Sequence, residues 1–493
     1  MRLRALLGHG VMVQGSAWED VEITALATDS RTVGPGMLFV ALPGSKVDGS
    51  RFIADALAQG AAAVLAGSSV AHGLFAGAPP GVPLILDPQP RRRLALIAAR
   101  FFAEQPRCVV AVTGTNGKTS VVSFTRQLWT LLGHRAAALG TLGLDAPAGL
   151  SATGHTTPDP VALHRLLAEL AAAGVDYLAL EASSHGLDQH RLDGVRFQAA
   201  AFTNLTRDHF DYHGDVAHYL AAKQRLFSEL LPAEGTAVLN ADQPQFEPLA
   251  ASCRARGIAV LDYGRKARRL RLVEQTPRAH GQTLTVAIDG RTDRIDTELV
   301  GAFQAANLLA ALGLVLATGG ALDAALAGLS RLQGAPGRLQ QVGRHPSGAP
   351  VFVDYAHAPD ALEQVLRALR PHTEGRLVVV FGCGGDRDRG KRPIMGRIAA
   401  ELADRAFVTD DNPRSEDPAS IRTAVLEACP GGIEIGDRRA AIREALAGLE
   451  AGDVLVIAGK GHETGQIVGD RVLPFDDAQE ARTALAELAG AAR

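Results

Sequence analysis

The sequence is poor in cysteine, and its few thiols form no pattern. Cys108, Cys253, Cys383 and Cys429 are scattered along the chain, with no CxxC pair and no spacing typical of metal ligands. This distribution argues against a disulfide framework and against a cysteine zinc site. We expect four buried or idle thiols in the reducing environment of the cytoplasm.

An excess of charge of either sign is also lacking. The chain has 50 basic and 53 acidic residues, which gives a formal net charge of −3. Because such a small imbalance creates no large electrostatic field, it offers no support for nucleic acid or a membrane surface as a partner. An anionic small molecule would therefore need a local basic site.

No hydrophobic run has the character of a membrane span or a secretory signal. The longest uncharged span, 301–322, contains Gln304, Asn307 and several glycines, so we interpret it as a buried helix. The amino-terminal stretch MRLRALLGHGVMVQG breaks its apolar run too early for a secretory signal. We therefore expect a cytoplasmic protein without membrane insertion.

The length of 493 residues exceeds what one hydrophobic core can organise, and a prior of about 150 residues per domain suggests roughly three domains. Residues 1–105 contain short strand-like pieces and then a helical stretch, which predicts a small α/β module. Residues 106–335 contain further strands that end in polar residues, as in a parallel sheet. Four apolar strands in 336–493, each followed by a glycine-bearing loop, predict a Rossmann-like doubly wound domain after the linker QGAPGR.

The stretch VVAVTGTNGKTS, residues 109–120, predicts a phosphate-binding loop. Its apolar start is typical of a strand buried on both faces of a parallel sheet. Gly114 and Gly117 allow the backbone to close around an anion, Lys118 adds a positive charge, and Thr119 offers a hydroxyl to a metal. Val112 stands where the longer nucleotide-loop pattern has glycine, so the match is to a shortened GxxGKT form; a plain glycine turn with a surface lysine is the alternative.

Polar residues follow two later strands of the central region. Glu181 ends the strand VDYLAL, where its carboxylate could bind the magnesium that accompanies a nucleotide, although such a residue is often only a helix cap. The next strand leads into TNLTRDHFDYHGD, which crowds several potential ligands into ten residues: Asn204, Asp208, His209, Asp211 and His213. A hydrolytic metal site is one reading, but no HExxH spacing is present. We prefer oxygen-ligated magnesium and nucleotide contacts.

Loops at the predicted strand ends of the carboxyl-terminal region combine guanidinium, carboxylate and glycine. They are DYAHAPDAL, GGDRDRGKRP, DNPRSEDP and GKGHETG. Four such loops in succession indicate a binding cleft, and Arg387, Asp411, Arg414 and Glu463 suit a zwitterion such as an amino acid. Lys223 falls on a helix, where a solvated lysine is the simplest reading.

Eight motifs in order resemble those of the Mur ligases, in particular the ligases that add meso-diaminopimelate. The motifs are GTNGKT, TTPD, EASSHGLDQHR, TNLTRDHFDYH, DYAHAPDAL, GCGGDRDRGKRP, DNPR and GKGHE, and the likeness covers essentially the whole chain. It implies a three-domain α/β enzyme of peptidoglycan synthesis, with a central domain of the P-loop ATPase type. Two positions depart from the family pattern: Ser50 replaces the histidine of DGHxF, and Gln304 replaces an asparagine of GxFNxxN.

The resemblance also implies roles for individual residues. The ATP-binding residues would be Gly114, Thr115, Asn116, Gly117, Lys118, Thr119, Asn307, Arg338 and Asp354. The UDP-dipeptide would contact Thr28, Ser30, Thr156, Thr157, Ser183, Gln189 and Arg191. The diaminopimelate pocket would contain Arg387, Asp411, Asn412, Pro413, Arg414, Gly459 and Glu463. Lys118, Glu181 and Lys223 would be catalytic, with Thr119, Glu181 and a carbamylated Lys223 near Mg²⁺.

The implied reaction is an ATP-dependent amide ligation with small-molecule substrates. The D-glutamyl carboxylate of UDP-N-acetylmuramoyl-L-alanyl-D-glutamate would attack the γ-phosphate of ATP, and the amine of meso-diaminopimelate would then displace phosphate from the acyl phosphate. We expect a monomer. An L-lysine-adding Mur ligase, a ligase like folylpolyglutamate synthetase, and a non-enzymatic nucleotide switch are the alternatives.

Overall fold

The computed structural model describes residues 1–8, 10–15, 17–44, 47–69, 79, 81–147, 156–206, 210–278 and 280–491, without the side chains of Phe210, Asp211 and Ala491. The chain divides into two compact units. The first unit comprises Met1–Lys118, Gly133–Leu239 and Gln245–Val260, and the second comprises Thr119–Leu132, Asn240–Pro244 and Leu261–Arg493.

The amino-terminal part of the first unit is a small sheet covered on both faces. Its elements are α1 (Leu3–Leu7), β1 (Met12–Gln14), β2 (Ala25–Ala27), β3 (Met37–Ala41), α2 (Ile53–Ala58), β4 (Ala63–Gly67), β5 (Leu84–Asp87) and α3 (Pro90–Phe102). The strand order is β1-β5-β4-β3-β2, parallel except for β1. Side chains alternate across the sheet: Leu38 and Val40 pack with α1 and α3, and Phe39 and Ala41 pack with α2. The small α/β module predicted from the sequence is present.

The central stretch of the chain contains ten strands and eight helices among its described residues. The strands are β6 (Cys108–Thr113), β7 (Ala136–Gly140), β8 (Gly143–Asp145), β9 (Tyr177–Glu181), β10 (Phe197–Phe202), β11 (Thr236–Asn240), β12 (Ala259–Gly264), β13 (Leu270–Arg278), β14 (Gly281–Ile288) and β15 (Arg291–Thr297). The helices are α4 (Lys118–Leu131), α5 (Pro160–Ala172), α6 (Ser184–Asp188), α7 (Phe210–His213), α8 (Val216–Arg225), α9 (Phe246–Ala255), α10 (Phe303–Ala317) and α11 (Leu322–Leu329).

In the first unit, β6 lies between β9 and β10 and is parallel to both. The strand order there is β11-β10-β6-β9-β7-β8. Val109 and Ala111 of β6 join a hydrophobic cluster with residues of α5, α6 and α9. All six residues of β6 are buried, which confirms the prediction of a strand buried on both faces of a parallel sheet.

In the second unit, β13, β14 and β15 form an antiparallel ribbon, and β12 pairs with β13 in parallel. Asp289 and Gly290 connect β14 to β15 with φ angles of +46° and +90°. Two central residues with positive φ are typical of the tight turns that match the twist of a β-hairpin. The span predicted as a buried helix is α10, which has a continuous run of buried residues from Asn307 to Val315.

The carboxyl-terminal part of the second unit is a doubly wound sheet with a separate hairpin. Its strands are β16 (Gln340–Arg344), β17 (Pro350–Asp354), β18 (Leu377–Phe381), β19 (Arg405–Val408), β20 (Ile433–Glu434), β21 (Val454–Ala458), β22 (Gly465–Val468) and β23 (Arg471–Pro474). Its helices are α12 (Pro359–Leu369), α13 (Lys391–Leu402), α14 (Pro418–Leu426), α15 (Arg438–Ala447) and α16 (Asp477–Ala491). The sheet order is β16-β17-β21-β18-β19-β20, parallel except for β16, and β22 pairs with β23.

Helices cover both faces of this sheet. Val379 and Val456 face a cluster that includes residues of α12, α13 and α14, whereas Val380 and Leu455 face one that includes α15 and α16. The alternation is the period of two expected for strands buried on both faces. The α/β class and the doubly wound carboxyl-terminal fold are therefore confirmed, while the domain boundaries at 105/106 and 335/336 stay predictions.

A buried ion pair joins α15 to α16 beside the end of β21. Arg438 donates two hydrogen bonds of 2.7 Å to Asp477, both side chains have no exposed area, and Arg438 Nη2 also donates to the carbonyl of Ala458 at 2.9 Å. Such a bidentate pair fixes geometry well. Removing one partner would leave a buried charge uncompensated, at a cost of about 3–5 kcal/mol.

Candidate functional site

The predicted phosphate loop follows β6 directly, and α4 begins at Lys118. Gly114 has a φ of +145°, and a Cβ at this position would lie 1.9 Å from Thr203 Oγ1. Gly117 also has a positive φ, +87°. Both glycines are thus required by the backbone path, and the strand, turn and helix expected around a phosphate cradle are all present.

Asn204 and Thr203, at the end of β10, hold this loop in shape. The amide of Thr115 donates to the carbonyl of Asn204 at 2.9 Å, and the amide of Asn116 donates to Asn204 Oδ1 at 2.9 Å. Thr203 Oγ1 donates to the carbonyl of Asn116 at 2.6 Å. The TNLT segment therefore has a clear structural task, which is to fix the loop that precedes Lys118.

Two lysines converge on one carbonyl oxygen of the loop. Lys118 Nζ donates to Gly114 O at 3.0 Å, and Lys223 Nζ, from α8, donates to the same oxygen at 2.8 Å. Lys223 is only 1 % exposed, and its Nζ lies 4.3 Å from the ring centroid of Tyr219. The reading of Lys223 as a solvated lysine is therefore wrong. Lys118 supplies positive charge beside the glycine loop, where an anionic ligand would be stabilised, and Lys223 adds a second, buried amine at the same oxygen.

Glu181 is buried at the end of β9, and Thr141 orients its carboxylate. The amide of Thr141 donates to Oε1 at 2.9 Å, and its hydroxyl donates to Oε2 at 3.2 Å. A Cβ on Gly140 would lie 2.1 Å from Oε1, so the strand end is shaped around this carboxylate. Sequence reasoning missed Thr141, because a lone threonine after a strand carries no distinctive signal.

Two of the three residues expected near magnesium, Glu181 and Thr119, have side chains suited to bind it. The Glu181 carboxylate and the Thr119 hydroxyl provide the hard oxygen atoms that Mg²⁺ prefers. Lys223 does not fit as an amine, because its Nζ is a hydrogen-bond donor to Gly114 O, and it would fit only after gaining a carboxylate. The described residues contain no group of three or more His, Cys, Asp or Glu side chains that could hold a metal ion.

The residues predicted to hold the muramoyl dipeptide form one hydrogen-bonded group with Glu181. Thr157 Oγ1 lies 3.0 Å from Ser183 Oγ and donates to the carbonyl of Glu181 at 2.9 Å. Arg191 donates to the carbonyl of Thr157 at 2.6 Å and to Gln189 Oε1 at 2.7 Å. The first unit thus brings these sequence-predicted residues together, and Thr156 joins them through Thr141 at 3.1 Å.

Tyr212 extends this group and was not singled out from the sequence. Gln189 Nε2 donates to its hydroxyl at 3.1 Å, the hydroxyl donates to Asp188 Oδ2 at 2.7 Å, and its ring contacts the His185 ring in a tilted arrangement with the centroids 4.1 Å apart. Of the other polar residues in this segment, His213 is buried, whereas Asp208, His209 and the Asp211 side chain lie outside the described residues.

Thr28 and Ser30 lie just after β2, in the amino-terminal part of the first unit. Thr28 is exposed, whereas Ser30 is 9 % exposed and begins a short 3₁₀ turn capped by Asp29. Ser50, the departure from DGHxF, donates its amide to Asp48 at 2.8 Å in a similar turn. A contact of Thr28 and Ser30 to a uridine nucleotide stays a prediction.

In the second unit, Asp354 and Arg338 lie together around the end of β17. The Asp354 carboxylate accepts the amides of Leu339 at 2.7 Å and Ala356 at 2.9 Å, and burial raises the pKa of this carboxyl to about 6, against the lowering effect of Arg338. The Arg338 guanidinium lies 5.1 Å from the centroid of the Tyr355 ring. These contacts fix the chain on both sides of β16 and β17.

Asn307, the other predicted ATP contact of the second unit, is buried on α10. Its Nδ2 donates to Gln304 Oε1 at 2.9 Å. Gln304, which departs from the family pattern, is therefore the residue that orients the Asn307 amide.

The loops after β18, β19 and β21 meet at one edge of the carboxyl-terminal sheet, since these strands are parallel. Arg414 Nη1 donates to the carbonyl of Gly385 at 2.8 Å, and its backbone has a φ of +54°. Asn412 Nδ2 donates to Glu463 Oε2 at 2.9 Å. A Cβ on Gly459 would lie 2.7 Å from Asp411 Oδ2.

Pro413 also belongs to this edge, since a Cβ on Gly385 would lie 1.9 Å from its carbonyl oxygen. Six of the seven residues predicted for the amino-acid pocket are thus close together: Asp411, Asn412, Pro413, Arg414, Gly459 and Glu463. Arg387 is exposed in the loop after β18 and takes no part in this network of hydrogen bonds among the described residues.

Lys460 lies among these residues, and sequence reasoning missed it. Its side chain has no exposed area, and Nζ donates to Asn412 Oδ1 at 2.9 Å and to Gly465 O at 2.7 Å. Glu463 Oε2 lies at 3.5 Å and Asp411 Oδ1 at 3.8 Å. Burial lowers the pKa of Lys460, and the neighbouring Asp411 opposes this effect. The motif GKGHE includes Lys460, but a lysine between two glycines looks like an exposed lysine, so the motif did not indicate that this side chain is buried.

Three Mur ligase models match the chain. One for "Mur ligase family, catalytic domain" matches residues 22–102, one for "Mur ligase middle domain" matches 112–315, and one for "Mur ligase, glutamate ligase domain" matches 337–461. None of the helices in the described ranges is long and apolar enough to cross a membrane.

Relatives match over nearly the full chain. The UDP-N-acetylmuramoyl-L-alanyl-D-glutamate–2,6-diaminopimelate ligase of Mesorhizobium japonicum is 55 % identical over 489 residues, which cover 99 % of this chain and 100 % of the relative. The protein of the same name from Caulobacter vibrioides is 54 % identical over 472 residues, covering 94 % and 96 %.

Solved structures also resemble the chain. One of UDP-N-acetylmuramoyl-L-alanyl-D-glutamate–2,6-diaminopimelate ligase superposes with a TM-score of 0.75 at 33 % identity and covers 99 % of both chains. Folylpolyglutamate synthase of Mycobacterium tuberculosis, complexed with ADP, has a TM-score of 0.60 at 22 % identity, covering 80 % of this chain and 94 % of that one. The latter likeness extends to the fold alone.

Proposed function

This chain belongs to the Mur ligase family, and from that premise we propose that it adds meso-diaminopimelate to the D-glutamate of UDP-N-acetylmuramoyl-L-alanyl-D-glutamate. It is an ATP-dependent ligase of peptidoglycan precursor synthesis. We also propose that the chain uses the substrates given in the names of its relatives, that it requires Mg²⁺, and that it works as a monomer in the cytoplasm.

The convergence of Lys118 and Lys223 on Gly114 O is the observation that carries the proposal. An amide bond cannot form spontaneously from a carboxylate in water, so the acid must first become a better acyl donor. The positive charge of Lys118 beside the glycine loop can neutralise the phosphoryl group that moves in that activation, and the buried Lys223 lies at the same carbonyl oxygen. A glycine turn with a surface lysine would not bring a second, buried lysine to the same oxygen.

In the proposed reaction, an oxygen of the D-glutamyl carboxylate attacks the γ-phosphorus of ATP, and the bond from that phosphorus to ADP breaks. The amine of diaminopimelate then attacks the acyl carbon, releases phosphate and loses a proton. No covalent bond to the protein is needed. Lys118 spreads the charge of the phosphoryl group, and the chain's other task is to align two anionic reactants that would otherwise repel each other.

We propose that Glu181 and Thr119 bind the magnesium of Mg-ATP and that Lys223 carries a carbamate in the working enzyme. Magnesium, when bound, supplies charge neutralisation for the phosphate groups. Carbamylation joins the neutral Lys223 amine to carbon dioxide with loss of one proton, and burial favours the neutral amine that this step needs. We further propose that Asn307, Arg338 and Asp354 contact ATP, together with residues 114–119.

For the amino acid, we propose that Arg414 binds the distal carboxylate of diaminopimelate. A guanidinium matches a carboxylate with two parallel hydrogen bonds, and L-lysine has no carboxylate at that position. Asp411, Asn412, Glu463 and Arg387 bind the remaining charges of the zwitterion, with Pro413 and Gly459 shaping the pocket. The hydrogen bond from Arg414 to Gly385 supports this role, because it orients the guanidinium before any ligand arrives.

For the nucleotide substrate, we propose that Thr28 and Ser30 contact the uridine part. The hydrogen-bonded group of the first unit holds the dipeptide part: Thr156, Thr157, Ser183, Gln189 and Arg191. This group is connected to Glu181, so the acceptor residues and a proposed magnesium ligand share one network.

A substrate panel tests the proposed function. Phosphate release from ATP is measured with the UDP-dipeptide, a folate acceptor or neither acceptor, and with meso-diaminopimelate, L-lysine, L-glutamate or no amino acid. We expect release only when the UDP-dipeptide and meso-diaminopimelate are both present. Equal use of L-lysine would indicate a lysine-adding ligase, use of a folate acceptor with L-glutamate would indicate folylpolyglutamate synthesis, and hydrolysis without either substrate would indicate a nucleotide switch.

A further inference from the structure

A strongly basic stretch, GRKARRLR at residues 264–271, has no place in the function proposed above. Together with the ribbon β13–β15 it forms a groove of about 570 Å³, here called the basic groove. The groove is lined by Arg265, Lys266, Ala267, Arg268, Arg271, Ala287, Gly290 and Thr292. Four of these eight residues are cationic and none is acidic, in a chain whose net charge is −3.

The floor of the basic groove is a row of side chains across three strands. Arg271 of β13 pairs with Ala287 of β14, which in turn pairs with Thr292 of β15. Paired residues of neighbouring strands point to the same face of a sheet. Because the side chains of Ala287 and Thr292 are small, this row leaves space above the sheet. The Arg271 guanidinium lies at the side of that space.

The wall of the basic groove is the connection between β12 and β13, and two aspartates fix its backbone. Asp242 accepts the amides of Arg265 at 2.9 Å and Lys266 at 2.8 Å. Asp262 accepts the amide of Arg268 at 2.8 Å. These two carboxylates thus bind main-chain amides of the wall.

Among the described residues, no ion pair neutralises the lining. The Arg265 guanidinium donates to the neutral amide of Gln275 at 2.9 Å. Across the described part of the chain, Lys266, Arg268 and Arg271 have no carboxylate within ion-pair distance, although the neighbouring Arg269 pairs with Asp289 at 2.9 Å. Cations held close together around a concave surface attract a multivalent anion.

We propose that the basic groove binds an anion that carries two or more phosphate groups. Guanidinium groups match phosphate oxygens with paired hydrogen bonds, and the groove has the volume typical of small-molecule sites. None of its residues belongs to the ATP, UDP-dipeptide or diaminopimelate sets. Two sources share this chemistry, a free polyphosphate-bearing molecule and the phosphate headgroups of a lipid surface.

Binding measurements with the full chain test the proposal. Inorganic tripolyphosphate is titrated by calorimetry at about 0.15 M salt, where weak nonspecific attraction is screened. Vesicles with anionic phosphatidylglycerol, and neutral phosphatidylcholine vesicles, are used in flotation assays. The groove variant is Arg268→Gln/Arg271→Gln, and the matched control is Arg331→Gln/Arg397→Gln, which removes the same charge from exposed positions outside the groove. Lys118→Ala separates groove binding from binding at the phosphate loop.

The groove variant should weaken binding of tripolyphosphate or of anionic vesicles by roughly tenfold or more, because each arginine loses charge-assisted hydrogen bonds. The control variant and Lys118→Ala should retain that binding, and ligase activity should be unchanged in the groove variant. Binding of neither probe by the wild type would overturn the proposal. So would binding that survives in the groove variant, or that disappears in Lys118→Ala. If Arg268→Gln/Arg271→Gln fails to fold, Arg265→Gln/Lys266→Gln provides the same comparison.

Discussion

Replacing Lys460 by methionine would remove an ammonium group from the interior of the second unit while keeping a similar side-chain length and volume. The ammonium is fully buried, and it donates to Asn412 Oδ1 and Gly465 O at 2.9 and 2.7 Å. Asn412 in turn donates to Glu463. The substitution thus tests whether one buried lysine holds two residues of the proposed amino-acid pocket in place.

The expected magnitude follows from these contacts. Each hydrogen bond from a charged donor contributes about 1.5–3 kcal/mol, so losing two would cost about 3–6 kcal/mol. Burial disfavours the charged ammonium and lowers the pKa of Lys460. Methionine carries no charge to bury, and this difference offsets part of the loss. The contact to Glu463 is long at 3.5 Å and that side chain is 34 % exposed, so it adds little. We expect the free energy of unfolding to fall by about 2–4 kcal/mol.

Urea unfolding and steady-state kinetics with each substrate varied in turn would check this prediction. The KM for meso-diaminopimelate should rise roughly tenfold while the KM for ATP stays unchanged, because the lost contacts are to Asn412, Glu463 and Gly465 and to none of the residues proposed to bind ATP. Lys266→Met is the matched control, since Lys266 is exposed. Unchanged stability together with an unchanged KM for diaminopimelate would refute the reasoning, and an equal rise in both KM values would show that the effect is not local.

Further predictions concern four other residues. Lys118→Ala should lose most ligase activity with an unchanged circular dichroism spectrum, whereas Lys266→Ala should remain active; an active Lys118→Ala enzyme would contradict the proposed phosphoryl-transfer role. Lys223→Ala should be nearly inactive and partly rescued by a short carboxylic acid, and electron density that shows a bare, solvent-facing Lys223 amine beside bound ATP and magnesium would count against the carbamate. Arg414→Ala should cost about 2–5 kcal/mol in kcat/KM for diaminopimelate with little change in ATP binding; undiminished use by the variant, or equal use of L-lysine by the wild type, would overturn the specificity proposal. Burial raises the pKa of Asp354 from 3.8 to about 6, so its protonated form is favoured on folding and the wild type should lose up to about 3 kcal/mol of stability relative to Asp354→Asn as the pH rises from about 4 to 7; equal differences in urea unfolding at both pH values would exclude this linkage.

The α/β fold could be predicted because its signals are local. Val109–Val112 forms an apolar strand without alternation, and only a strand buried on both faces requires that pattern. The antiparallel ribbon β13–β15 was not predicted, although Asp289 and Gly290 form a recognisable hairpin turn between alternating segments. Its weak hydrophobicity concealed it, since many of its residues face solvent.

The sequence allowed us to predict which residues belong to the candidate site, but not which contacts these residues make. Arg414 and Glu463 could be identified because their motifs are ordered along the chain, and strand ends of a parallel sheet meet at one edge. The buried state of Lys223 and Lys460 could not be derived, because a lysine's surroundings are set by residues far away in sequence. Lys460, for example, depends on Asn412, 48 positions earlier.

The strand order of the carboxyl-terminal sheet has a consequence for biosynthesis. β21 lies between β17 and β18 in the sheet, yet it is synthesised last of the three strands. Roughly 100 residues separate it from β17, which corresponds to about 5–20 s at ordinary rates of synthesis. During that interval two apolar strands each have an unpaired edge, which is the kind of surface that aggregates or recruits chaperones. A nascent chain arrested before Val454 should therefore be protease-sensitive in this region, and one arrested well after α16 should be protected, as limited proteolysis of stalled ribosome complexes can measure. Because Gly459 and Glu463 lie in the last segment of the chain, we expect the proposed amino-acid pocket to form only after that segment has left the ribosome.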